Sequence, residues 1–276
     1  REVFQVIYTQ AALIEWHHFW LMHLVPVLKD GLDAEGLSTH AHRISQWKNE
    51  DAAGVLAFWT EVLSLNLVDG KRIAAQLGLY LSEINMENLV LVVPLLEQLL
   101  SMPRQEHDFL GCALARCVAS GAMDDNLLWR YIAGDISEDD VIEFHFSNKL
   151  HCQPHEFGNS SDNFFRLRME QSTTLLDLAL ESIEKWSRIK SSHYGNTRGY
   201  RSEFLCDTSY NDAHSQIDHQ HIDNERILMD AMEAAILSHA KTHSDWWKSN
   251  REHLCFNYEG ALRYFAILAC TASPEA

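Results

Sequence analysis

Apolar residues recur along this chain at intervals of three and four almost everywhere, and strict two-residue alternation is nearly absent, so the pattern predicts helices throughout. A first helix is predicted over about 3–25, with Phe4, Ile7, Ala11, Ile14, Phe19 and Leu21 on its apolar side and Pro26 at its end, and a second over about 33–47. Asp51 is placed to cap a third helix that runs to Leu65, because its carboxylate can accept from the free N–H groups of the first turn. Asp69-Gly70 separates this helix from one over 71–84, and another follows over 87–100. Pro103 opens the next, which closes near Ser120-Gly121, where glycine takes the left-handed conformation that ends many helices.

At roughly 15–20 residues per helix and turn, residues 1–121 match the helical-hairpin lengths of HEAT, TPR and armadillo stacks. They carry no TPR or ankyrin signature, and irregular all-α packing gives the same spacing. From Asp124 the texture changes. Leu127 to Ile132 form a short helix stopped by Gly134-Asp135, and Ser137-Glu138-Asp139-Asp140 reads as a capping box. A polar loop over 149–163 precedes one long helix over about 162–189, and a second polar loop covers 191–217. Helices resume over 218–243, 244–254 and 258–270. The expected fold is all-α: a helical-hairpin stack over 1–121 continuing into an irregular helical bundle over 122–276.

Three stretches add a resemblance. Leu128-Trp129-Arg130-Tyr131-Ile132-Ala133-Gly134-Asp135, the run Leu175 to Glu184, and Asn257-Tyr258-Glu259-Gly260-Ala261-Leu262-Arg263-Tyr264-Phe265 resemble parts of very large bacterial ATPases of the STAND class. In that class a nucleotide-binding module is followed by a long helical-repeat region that recognises a trigger, in some cases a phage protein. This chain has no Walker motif, so the resemblance implies a recognition or scaffold part and transfers no catalytic residue. The chain opens on Arg1-Glu2-Val3-Phe4, already inside an amphipathic helix and without an initiator Met, which fits the expectation of a piece cut from a longer protein.

Composition narrows the partners. Of 276 residues 46% are hydrophobic and 22% charged, as in ordinary folded proteins, and 39 acidic against 22 basic residues give a net charge of −17. Such a charge repels phosphate backbones and anionic bilayers, so the expected partner is protein, with no direct nucleic acid and no membrane. The longest apolar run, Leu89 to Leu96, is far short of the ~20 residues that span a bilayer. Six cysteines without C-x-x-C spacing read as free core thiols in a reducing cytoplasm.

The chemistry suggested by residue type is a metal site. His145, His151, Cys152 and His155 cluster in and before the first loop, and His214, His219 and His221 lie in and after the second, so zinc is the alternative cofactor to none. No H-E-x-x-H or C-x-x-C spacing occurs, and His239 and His243, four apart, lack the glutamate of the zincin pattern. Glu15 and His18 have the Glu-x-x-His offset of di-metal bundles without a matching second element, and an amphipathic interface helix accounts for that aromatic stretch equally. No G-x-S-x-G elbow or phosphate-cradling glycine loop occurs either, which points away from catalysis by those routes.

Binding is the reading left. Eight tryptophans are available, and adjacent Trp246 and Trp247 point about 100° apart on a helix, so they are the expected protein-binding candidates. The concave face of the first stack and the two polar loops are the expected contact surfaces. A metal-dependent hydrolase built on the loop histidines, and an acidic immunity-type protein that neutralises a basic partner, remain as alternatives.

Overall fold

The computed structural model describes residues 42, 44–46, 48–64, 77–102, 109–142, 149–158, 164–193 and 224–273. Every regular element among the described residues is helical, and none of these helices is long and apolar enough to cross a membrane. The predicted first helix, with Glu15 and His18, lies outside the described residues, as do His145, His214, His219 and His221. The chain divides into two compact units, Arg1–Asp124 and Asp125–Ala276.

In the first unit, helix α1 spans Ala52–Ser64, α2 Leu89–Leu100 and α3 Leu110–Ala119; α1 packs on α2 and α2 on α3, and residues 77–82, between α1 and α2, are also helical. Asp51 caps α1, its Oδ1 accepting from Gly54 N at 3.1 Å. Phe58 and Trp59 on α1 are fully buried, and the Trp59 indole donates to Ser45 Oγ at 2.9 Å. Pro94 continues α2 without ending it. The carbonyl its ring leaves unpaired belongs to Val90, an exposed residue, so water can satisfy it.

Residues 103–108 of the helix predicted from Pro103 to Ser120 lie outside the described residues; α3 starts at Leu110, and Phe109 immediately before it adopts a left-handed φ of 56°. Its end is as the sequence indicates. Gly121 has φ 75°, Ala122 N donates to Cys117 O and Gly121 N to Val118 O, the paired bonds of a Schellman cap.

The second unit contains α4 (Asp125–Ala133), α5 (Glu138–Ile142), α6 (Phe164–Gln171), α7 (Thr173–His193), α8 (Asn224–Lys241), α9 (Asp245–Cys255) and α10 (Gly260–Ala272). Gly134 follows the end of α4, and a Cβ there would lie 2.3 Å from the Arg130 carbonyl oxygen, so the backbone at this position requires glycine. The capping box holds: Asp140 Oδ2 accepts from Ser137 N at 2.8 Å, and Ser137 Oγ accepts from Asp140 N at 3.3 Å.

The core forms where α8 packs on α6 and α10, and where α7 packs on α4, α5 and α10. Leu175, Leu176, Ala179 and Ile183 of α7, Leu228, Met229, Met232 and Ala235 of α8, and Leu262, Phe265, Ala266 and Ala269 of α10 fill it.

Two expectations change here. The single long helix over 162–189 is two helices with a joint at Ser172, and α7 runs to His193, through the start of the predicted second loop. Within the predicted first loop, Pro154–Phe157 form a 3-10 turn opened by Gln153.

Candidate functional site

The joint at Ser172 has a tertiary cause. Ser172 Oγ accepts from Leu175 N at 3.1 Å, which makes it the cap of α7, and donates to Asp125 Oδ2 at 2.5 Å. Asp125, buried in the first turn of α4, also receives Arg168 Nε on Oδ1 and Nη2 on Oδ2, both at 2.7 Å. A buried carboxylate so held by a planar guanidinium fork and a hydroxyl has its charge and its lone pairs met. The three residues form a structural corner joining α4, α6 and α7.

A second buried carboxylate, Glu259, precedes α10. Its Oε2 accepts from Ser187 Oγ at 3.1 Å and Ser191 Oγ at 3.3 Å, and Lys190 is buried on the same stretch of α7. On α8 Glu233 accepts from Tyr264 Oη at 3.0 Å. Burial pushes the Glu233 carboxyl up, and burial together with Glu233 and Asp230 pushes the Tyr264 phenol up to about 12. Both groups therefore keep their protons to higher pH, and their bond docks α10 on α8.

The histidines of the first loop are engaged locally. His151 Nδ1 pairs with Glu156 Oε1 at 2.6 Å and its ring lies 5.6 Å from that of Tyr131. Cys152 is buried and its thiol donates to Asn224 O at 3.1 Å, while His155 is exposed. Among the described residues no three His, Cys, Asp or Glu side chains gather as a metal-holding group.

His239 and His243 do not share a helical face. α8 ends at Lys241 and His243 takes a left-handed φ of 48°, while Ser244 N donates to His239 O. His239 Nδ1 meets Ser244 Oγ at 2.9 Å, and burial lowers the affinity of this imidazole for a proton, with Asp177 opposing.

Trp246 and Trp247, the expected binding anchors, point inward. Trp246 is 9% exposed, donates its indole N–H to Asp177 Oδ1 at 2.6 Å, and packs 4.9 Å from the His239 ring. Trp247 is 1% exposed and its indole N–H has no acceptor among the described residues, a cost of about 1–3 kcal/mol set against burial of the ring. The 100° between them is taken up by two inner surfaces. Every described tryptophan is buried or half-buried: Trp59, Trp129, Trp186, Trp246 and Trp247.

Among the described residues of this unit, the exposed phenylalanine and tyrosine rings lie elsewhere, on the turn between α9 and α10. Phe256 is 85% exposed and Tyr258 62% exposed. Phe256 closes α9, its N–H donating to Glu252 O, and Asn257 Oδ1 accepts from Glu259 N at 2.8 Å, so hydrogen bonds fix the turn on both sides of Asn257. The buried Leu254 and Glu259 anchor its ends. On α10, Ile267 is exposed and shares a helical face with exposed Cys270, three residues on.

Sequence reading passed over Phe256 and Tyr258 because exposure of a single ring leaves no periodic trace. The available signal was position: both sit between the end of one amphipathic run and Gly260, where the chain turns. No protein-family model matches this chain, and no curated protein or solved structure matches it either.

Proposed function

We propose that this chain is a non-catalytic protein-recognition or scaffold region of a larger bacterial protein, and that the turn between α9 and α10 is its contact surface. The observation that carries the reading is the placement of Phe256 and Tyr258: two large rings held out to solvent by a hydrogen-bonded turn whose flanks are buried. Holding apolar rings in water costs free energy, and exposed aromatic residues on fixed backbone dominate the energetics of protein contacts. The net charge of −17 favours a basic partner and a fast, salt-sensitive encounter.

In the first unit, the packing of α1 on α2 and of α2 on α3 supports a stack of helices of the HEAT or TPR kind. The resemblance to the trigger-recognising region of STAND-class ATPases supports the same role. The test is paired affinity capture from the source cell, with the wild-type chain and a Phe256→Ala/Tyr258→Ala double variant as baits. A protein retained by the wild type and lost by the variant is expected. Identical captured sets would refute the assignment of this turn.

A further inference from the structure

In the first unit, one face of α2 carries apolar residues in water. Val92, Leu95, Leu96 and Leu99 are buried on the helix that packs on α1 and α3, whereas Val90, Leu91 and Pro94 are exposed, Val90 to 64%. Positions three and four apart share a helical face, so Val90 lies beside Pro94 and Leu91 borders it. Exposed Met86, in the 3-10 turn Met86–Asn88 that runs directly into α2, lengthens the stripe. A glutamate closes each end: Glu87 comes three residues before Val90 and Glu97 three after Pro94, both exposed and neither ion-paired among the described residues. Residues 77–102 contain no Lys, Arg or His. The described cations that reach this stretch are engaged, Lys48 with Glu83 at 2.8 Å and the Arg116 guanidinium with the Ser82 and Ile84 carbonyls. Pro94 has no N–H to give, so the Val90 carbonyl lacks its usual helical donor.

We propose that this face of α2 docks a basic amphipathic helix of another protein, its apolar residues against Met86, Val90, Leu91 and Pro94 and a Lys or Arg against each of Glu87 and Glu97. Charge decides the occupant. A second copy of this chain would bring the same stripe, and in either direction of packing a glutamate would meet a glutamate, which disfavours self-association through this face. An anionic bilayer meets the same repulsion. A cationic helix removes it, and an ammonium or guanidinium can also donate to the open Val90 carbonyl. Glu87 and Glu97 stand roughly 15 Å apart at the rise of an α-helix, so the partner's basic residues should fall about ten residues apart, with apolar ones between them at helical spacing. This surface lies in the first unit and stands or falls independently of the turn between α9 and α10.

The test titrates the whole chain, at physiological salt, into a fluorescein-labelled synthetic peptide about five helical turns long, with leucines on one face and lysines flanking them, and into the same peptide with glutamate for lysine. Fluorescence anisotropy should report saturable binding of the lysine peptide only. Val90→Ser/Leu91→Ser should weaken that binding at least about tenfold, and Glu87→Lys/Glu97→Lys should turn the preference towards the glutamate peptide. All four positions are exposed, and an unchanged circular dichroism spectrum shows that each variant is folded. Phe256→Ala/Tyr258→Ala should bind the lysine peptide as the wild type does, which separates this test from that of the turn. The proposal is overturned if the lysine peptide does not bind, or if the charge reversal leaves the preference unchanged. Equal affinity for the wild type and Val90→Ser/Leu91→Ser would also overturn it, since general attraction to a chain of net charge −17 gives that result.

Discussion

The Asp125–Arg168–Ser172 corner and the Phe256–Asn257–Tyr258 turn handle opposite liabilities. The corner takes charge and hydroxyl out of water and meets every demand that burial creates: Arg168 covers both carboxylate oxygens, and Ser172 adds a third bond while capping α7. The turn uses hydrogen bonds to hold apolar rings in water, where folding gains little from them. The difference separates architecture from function. Polar groups buried and matched are explained by the fold, whereas apolar groups exposed on a fixed backbone are not.

Substitutions can break this contrast. Removing the carboxylate in Asp125→Ala leaves Arg168, whose side chain is 27% exposed, without its partner, and should cost about 3 kcal/mol by urea denaturation. Ser172→Ala keeps the ion pair but loses the cap and one bond to Asp125. About 1–2 kcal/mol is expected, and a loss below a few tenths would mean that the joint is not set by the serine. At the turn, Phe256→Ala and Tyr258→Ala should each change stability by no more than about 0.5 kcal/mol, the usual range for exposed positions. A loss comparable to the corner's would make the rings structural.

A smaller effect concerns acid. Lys149 and Ser137 hold the Asp140 carboxyl down at about 2. A carboxylate depressed in the folded state contributes stability above the ordinary aspartate range, and that contribution is lost as pH falls towards 2. Asp140→Asn should therefore lower stability at neutral pH and flatten its decline between pH 4 and pH 2, so that variant and wild type converge towards pH 2, as thermal melts from pH 7 to pH 2 would report.

Local signals were legible in the sequence because their causes are local. Asp51 before Ala52, Ser137 three residues before Asp140, Gly121 after α3 and Gly134 after α4 each act within one helical turn, and each is found in place. The joint at Ser172 was not legible, since the apolar period runs through it without glycine or proline. What breaks the helix is Asp125, 47 residues away. The left-handed Phe109 and His243 left no composition signal either. For Trp246 and Trp247 the angular argument was sound but assumed a single burying face. The second unit supplies two, one of them made by Asp177 and His239. Of the histidines proposed as ligands, His151 was readable as part of a cluster, but its pairing with Glu156 depends on the 3-10 turn that brings the two side chains together.

The central claim is that recognition belongs to the turn and not to the corner. Its most direct test measures one captured protein's affinity for the wild type, for Phe256→Ala/Tyr258→Ala and for Ser172→Ala, together with the stability of each chain. The account predicts at least about a tenfold weaker affinity for the turn variant at unchanged stability, and unchanged affinity for the less stable Ser172 variant. Equal affinity of the turn variant and the wild type, or a loss of binding confined to Ser172→Ala, would contradict it.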